Sequence, residues 1–288
     1  MSFVPRFLRR LLPARFRNEA VSIPVVRLSG VIGQLSPLRQ GITLAAVAPL
    51  LKRAFDVKHA PAVAIIINSP GGSPVQSHLV FKRLRALAEE SGKEVIVAVE
   101  DVAASGGYMI AIAGDVIIVD PSSVVGSIGV VSAGFGFTGL IEKLGIERRV
   151  HTAGENKAML DPFRPERESD VQHLKSLQRD VHDLFIDLVR ARRGKRLVDD
   201  PTLFSGAFWS GTRGVELGLA DRIDDLRAYL RTRFGATVKL DIVEPKRGLM
   251  SRFGASRGVG TSGMLLAEAG EAALVGAEER ALRARYGL

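Results

Sequence analysis

An α/β fold built from repeated βαβ units is the class this 288-residue sequence predicts, and three observations carry it. Short β-branched runs alternate with helix-period segments from about residue 22 to residue 223. Several of the runs are apolar at every position, as strands covered on both faces by helices must be. The composition, 46% hydrophobic and 25% charged, is that of a folded globular chain,. Alternation of this kind implies parallel strands joined by helical crossovers.

The elements follow in order. Ile23-Pro24-Val25-Val26-Arg27-Leu28 reads as a strand, Leu44 to Phe55 as a helix, and Ala62-Val63-Ala64-Ile65-Ile66-Ile67 as a fully buried strand,. A helix over about 75–91 leads to the strand Glu94-Val95-Ile96-Val97-Ala98-Val99, a helix opening near Ser105, and the strand Val116-Ile117-Ile118-Val119. From Glu166 onward Val171, Leu174, Leu177, Val181, Leu184, Phe185 and Leu188 recur at spacings of three and four, the mark of an amphipathic helix,. It ends in Arg190, Arg192, Arg193, Lys195 and Arg196, read most simply as a solvated helix end. The expected organisation is a basic amphipathic segment over 1–20, one main domain over 21–243, and a linker with a helical tail over 244–288.

Composition narrows the function. With no cysteine, thiolate nucleophiles, thiolate zinc sites and redox dithiols are excluded. Lys and Arg number 40 against 31 acidic residues, a net +9, but the excess sits largely at the two ends. Aromatics make up 6%, and no basic stripe alternates with Phe or Tyr, so nucleic-acid binding is not expected. No apolar run approaches the ~17–20 residues that span a bilayer. The start, with Phe3, Phe7, Leu8, Leu11 and Leu12 among five arginines, lacks the apolar core of a cleavable secretion signal. It suits either a solvated tail or weak contact with an anionic membrane surface, and Pro5 and Pro13 limit any helix to about two turns. A cytoplasmic protein touching the inner membrane face through residues 3–17 is the expectation.

Two turns could carry chemistry. Ala103-Ala104-Ser105-Gly106-Gly107-Tyr108 follows a buried strand and opens a small-residue helix. A serine there stands at a sharp turn where glycines admit a substrate backbone, although small residues at such a place also serve helix packing. Asn68-Ser69-Pro70-Gly71-Gly72-Ser73-Pro74 also lies between strand and helix. Its glycines could aim N–H groups at an oxyanion, or it could be a plain tight turn. Parallel sheets place ligands at neighbouring strand ends. A reactive serine needs a base, and of His59, His78, His151, His173 and His182 none lies within 106–150, where a Clp-type serine protease, with a similar serine turn, places its histidine. His151, in a strand-like Arg149-Val150-His151-Thr152, suits a structural role. A Ser-His-Asp triad is therefore disfavoured. Lys157, in Gly154-Glu155-Asn156-Lys157-Ala158-Met159-Leu160-Asp161-Pro162-Phe163, is the other candidate base. An amine works as a base near pH 7 only where burial opposes its charge, at roughly 4 kcal/mol. Met159, Leu160 and Phe163 could form that apolar wall; a loop lysine is otherwise solvated.

Ser69-Pro70-Gly71-Gly72, Asp101 through Tyr108, Gly126-Ser127-Ile128-Gly129-Val130, and Lys157 followed by Asp161-Pro162-Phe163 together resemble the signal peptide peptidase A (protease IV) family of serine peptidases. Phe208-Trp209-Ser210-Gly211 through Gly218-Leu219-Ala220-Asp221 resembles the element downstream of that family's dyad. The resemblance covers about 22–235, in the family's order. It implies a Clp/crotonase-like fold, Ser105 as nucleophile, Lys157 as general base, and an oxyanion hole from Gly71, Gly72 and the amide of Gly106. Ser127 falls where a further hydroxyl could orient the lysine amine. Neither cofactor nor metal is implied. Glu155 departs from the pattern, which often has an aromatic residue two positions before the lysine.

The implied substrates are apolar or small-residue peptides such as cleaved signal peptides, with Gly134-Phe135-Gly136-Phe137 a candidate apolar subsite. By analogy with tandem family members, a homo-oligomeric ring is expected in which Lys157 serves Ser105 of a neighbouring protomer. Two alternatives are a crotonase-like acyl-CoA enzyme and a scaffold of the same fold without turnover.

Overall fold

The computed structural model describes residues 20–34, 41–245 and 280–287. The N-terminal segment 1–20 expected to touch a membrane falls almost wholly outside them, as does most of the 244–288 tail. Among the described residues no helix is long and apolar enough to cross a membrane.

Strands β1 (Ser22–Ser29), β2 (Ala62–Ser69) and β3 (Glu94–Ala104) form the centre of the sheet, with helices α1 (Leu44–Phe55) and α2 (Pro74–Ser91) as the crossovers between them. All three run parallel. Their side chains alternate between two cores. Val63, Ile65, Ile67, Val95 and Val97 face the cluster that contains Leu51, Phe55, Val80 and Leu84 of the crossover helices. Ala62, Ala64 and Ile96 face Tyr229 and Leu230 of α7 (Leu226–Phe234) on the other side. Burial on both faces is why these strands read as unbroken apolar runs. Helix α2 begins where Ser73 accepts a hydrogen bond from the Gln76 amide ahead of Pro74, and ends at Gly92, whose φ of 64° suits a glycine,.

Two branches of the sheet fork from β3. Its first part pairs with β4 (Val116–Val119), while Val102–Ala104 pair with β5 (Val124–Gly126). The register between β2 and β3 also shifts, between Ile67 and Ser69. Antiparallel β6 (Phe208–Ser210) closes on β5, β7 (Arg222–Ile223) on β4, and β8 (Lys239–Ile242) on β1. The path through the sheet is β6-β5-β3-β2-β1-β8. The short helix α3 (Gly106–Ala111) springs from the fork, and α5 (Glu168–Arg193) crosses beneath it; α4 (Thr138–Lys143) lies on an arm and α6 (Gly211–Glu216) follows β6.

Two expectations are corrected. His151 lies in exposed coil, not a strand. The basic end of α5 is not wholly solvated: the Arg193 side chain is 1% exposed and donates to both Asp221 oxygens at 2.9 and 3.0 Å and to the Gly218 carbonyl at 2.7 Å. Arg192 donates to the Ile112 and Gly114 carbonyls and to Asp115 at the end of α3. Asp221 also accepts from the Ile117 amide at 2.7 Å, so the Gly218–Asp221 element ties α5 to β4. Asp221→Asn, which cannot neutralise the buried guanidinium, should cost about 2–3 kcal/mol, read as a lower midpoint in urea unfolding. An unchanged midpoint would show the pair to be energetically idle.

Candidate active site

Ser105 follows the last residue of β3 and caps α3, with φ 52° and ψ −121°, a conformation strained for a residue with a Cβ,. Its amide donates to the Gly126 carbonyl at 2.8 Å and its carbonyl accepts from Met109 at 3.0 Å. One tertiary bond and one helical bond therefore hold the turn in place. Its hydroxyl does not cap the helix.

The Pro70-Gly71-Gly72 turn is stacked directly on this serine. Gly71 and Gly72 have φ of 105° and 140°. A Cβ on Gly71 would stand 2.8 Å from Ser105 Cβ and 3.0 Å from the Gly106 amide nitrogen, and one on Gly72 would overlap the Ile32 carbonyl. Bonds from Ile32 N–H to Gly71 O and from Ser73 N–H to Ile32 O, both 2.8 Å, fix the turn to the segment after β1. Gly107 is equally constrained, since a Cβ there would lie 2.5 Å from the Ser69 carbonyl. Gly106 opens α3, so its N–H lacks an intrahelical partner. Glycine is required here by close approach, and Ser105, Gly71, Gly72 and Gly106 lie together.

Ser127 joins them. It follows β5 with φ 53°, is buried, and donates its amide to the Ala207 carbonyl at 2.7 Å. Gly126 before it packs so closely on Trp209 that a Cβ would lie 2.7 Å from the indole. The two serines line one cavity of about 720 Å³, together with Ile32, Pro70, Gly72, Gly129 and Val130.

Lys157 does not line that cavity. It is exposed, on an arm that runs from about residue 131 to 165 and carries α4. No apolar wall buries it: Leu160 is itself exposed, and Phe163 packs at a tilt against Phe137 with ring centroids 5.5 Å apart. Two carboxylates pin its loop. Asp161 accepts from Arg148 at 2.9 Å and from the Phe163 amide at 3.1 Å, and the Arg148 hydrogen bond holds its carboxyl below the usual range. Asp170 accepts from Arg167 and from the amide of Leu160, which has φ 53°. Burial pushes Asp170 up, but these donors outweigh it and leave the carboxyl lowered. The Gly134–Phe137 stretch lies on the same arm: Phe135 is 82% exposed, and neither it nor Phe137 lines the cavity of its own chain.

Two groups of the cavity were not anticipated. His182, on α5, lines it and places Nε2 3.0 Å from the Ile128 carbonyl. Leu282, Arg285 and Tyr286 of the C-terminal segment line it too. Neither carries a local sequence signal, since both reach the site through the tertiary fold.

Comparison with known proteins decides the kinship. The family model described as Peptidase family S49 matches residues 88–238, which include Ser105, Ser127 and Lys157. The chain belongs to this family. Its mostly parallel sheet with helical crossovers is the α/β architecture expected from the alternation of strand-like and helix-period segments. Over 257 residues the S49 chain is 30% identical to the chloroplastic serine protease SPPA of Arabidopsis thaliana, covering 83% of this chain and 37% of that one. Over 224 residues it is 29% identical to Protease 4 of Haemophilus influenzae, covering 74% and 34%. A Brucella abortus protein named Na(+)/H(+) antiporter NhaA is 55% identical over 291 residues, covering 99% of this chain and 39% of that protein. The chain thus spans less than two-fifths of the length of each of these relatives.

Proposed function

We propose that this S49 chain is a serine endopeptidase in which Ser105 attacks a peptide carbonyl and Lys157 of the partner subunit accepts its proton. The same lysine returns the proton to the leaving amine, and water then hydrolyses the acyl-enzyme. The observation that carries the reading is the strained Ser105 turn with Gly71 and Gly72 packed against it. The amides of that turn and of Gly106 would receive the developing oxyanion. Ser127, in the same cavity, would orient the incoming amine. Peptidase family membership favours a peptide over an acyl-CoA substrate, and apolar or small-residue peptides, such as cleaved signal peptides, are the proposed class.

Sharing between protomers is supported by the arm. Lys157 lies outside the cavity of its own chain, and the arm exposes Val131, Phe135, Leu140, Leu144 and Ile146. Apolar side chains grouped in this way suit burial against a second copy. A contact repeated head to tail by rotation closes a ring. Co-assembly of Ser105→Ala with Lys157→Ala subunits should restore up to about a quarter of wild-type activity in a statistical mixture, because some interfaces then join an intact serine to an intact lysine. Verified mixed assemblies that stay inactive would overturn the shared dyad.

His182 supports a second reading, with the histidine as base inside one chain. If its Nε2–H donates to Ile128, Nδ1 is left as the acceptor,. His182→Ala would then abolish hydrolysis while Lys157→Ala spared it. Peripheral attachment through residues 3–17 remains part of the proposal, and deletion of 1–18 should lower salt-sensitive co-sedimentation with anionic vesicles. Unchanged co-sedimentation would remove it.

A further inference from the structure

The arm that carries Lys157 also carries an unpaired carboxylate. Glu155 and Lys157 share one turn, closed where the Lys157 amide donates to the Gly154 carbonyl at 3.3 Å. Both side chains are exposed, and two residues of chain separate their Cα atoms by at most ~7 Å. The nearby Asp161 and Asp170 are engaged by Arg148 and Arg167. The Glu155 side chain makes no ion pair or hydrogen bond among the described residues. Glu155 is also a position at which the sequence departs from the pattern of its family.

The matching charge lies beside the cavity of Ser105. Lys175, Gln178, Arg179 and His182 of α5 line a groove of about 250 Å³ with Val130, and Val130 and His182 line the cavity as well. Spacings of four and three put Lys175, Arg179 and His182 on one face of the helix. Lys175 and Arg179 are exposed and make no ion pair or side-chain hydrogen bond among the described residues. Two cations one helical turn apart repel each other, so the groove favours an anion. We propose that it seats Glu155 of the partner subunit, a carboxylate dock that sets the partner's Lys157 against Ser105 and Ser127. This rests on the shared dyad and adds a positioning pair to it. A lysine that enters the cavity brings the carboxylate two residues away to the cavity's edge, where the groove begins. Docked, that carboxylate is answered by Lys175 and Arg179. Free beside Lys157, it would favour the ammonium over the amine that must accept the proton.

The test reads peptide hydrolysis by the full chain. Arg179→Glu should lower kcat about tenfold with KM little changed, and Glu155→Arg should do the same, the size expected for one close charge pair across an interface. Both positions are exposed, so both variants should fold. The two changes in one chain should restore most of the lost kcat. Mixed assemblies show between which subunits the contact runs. Subunits with Lys157→Ala and Arg179→Glu, mixed with subunits bearing Ser105→Ala and Glu155→Arg, should be as active as the plain mixture of Lys157→Ala with Ser105→Ala, because the productive interface then joins the exchanged charges. Omitting Glu155→Arg from that mixture should lower its activity about tenfold. An inactive plain mixture would remove the shared dyad and the dock with it. An active plain mixture in which Arg179→Glu costs nothing, or costs what Glu155→Arg does not repair, would overturn the dock alone. A loss confined to peptides that bear a carboxylate, and not repaired by Glu155→Arg, would give the groove to substrate and overturn the dock as well.

Discussion

Ser105→Ala should lower kcat/KM for peptide hydrolysis by about 10⁴–10⁶, the range seen when a serine nucleophile is removed from a preorganised site. The backbone at residue 105 offers a control that activity alone does not. With φ 52° and ψ −121°, the turn stores about 1–3 kcal/mol in any residue carrying a Cβ. Alanine keeps this strain and glycine relieves it. Glycine loses an additional ~0.5–1 kcal/mol of chain entropy on folding. Ser105→Gly should therefore be inactive yet at least as stable as Ser105→Ala in thermal unfolding. A Ser105→Gly chain clearly less stable than Ser105→Ala would show that the turn is relaxed. Hydrolysis retained by both variants would remove Ser105 as nucleophile.

Gly72→Ala should be strongly destabilising, costing about 3–5 kcal/mol. The new methyl would overlap the Ile32 carbonyl, and φ of 140° is unfavourable for alanine,. Relief by moving the turn would break the bonds from Ile32 to Gly71 and from Ser73 to Ile32. Loss of activity should accompany the loss of stability, since Gly71 packs against Ser105 and Gly106. Gly139→Ala is the matched control. It lies in α4 with open space around its Cβ position and should be neutral or stabilising by up to ~1 kcal/mol. A Gly72→Ala protein that unfolds like wild type would show that the turn is not fixed.

The central βαβ units and both glycine turns were legible because their signals are local. Unbroken apolar runs name strands buried on both faces, and Ser73-Pro74 and Gly92 punctuate α2. Strands β6 and β7 were not, since three residues and two residues show no period and exist only through pairing with β5 and β4. The arginines closing α5 misled for a related reason. A run of charge reads as solvated, and only Asp221 and Gly218, distant in the chain, show that Arg193 is buried. His182 and Tyr286 belong to the same class of residue. Glycines and a serine at strand ends announced a site, but the side chains that complete its walls come from elements whose approach no nearby residue encodes.

The fork in β3 also sets when a nascent chain can acquire this site. Ser105 is held through Gly126 of β5, and β5 is closed by pairing Val125 with Trp209, so the whole arm must be looped out before the last ladder forms. Contacts between residues so far apart in the chain are slow to make, because loop-closure entropy is lost before the contact compensates for it. Pulse-labelled hydrogen exchange should find the Ser105 amide protected later than the amides of the β2–β3 ladder. During synthesis the β1–β3 core can form while β6 is still unmade, and the Ser105 turn stays unbraced until about residue 210 has emerged, so a partly made chain carries this hydroxyl on a turn not yet fixed in direction.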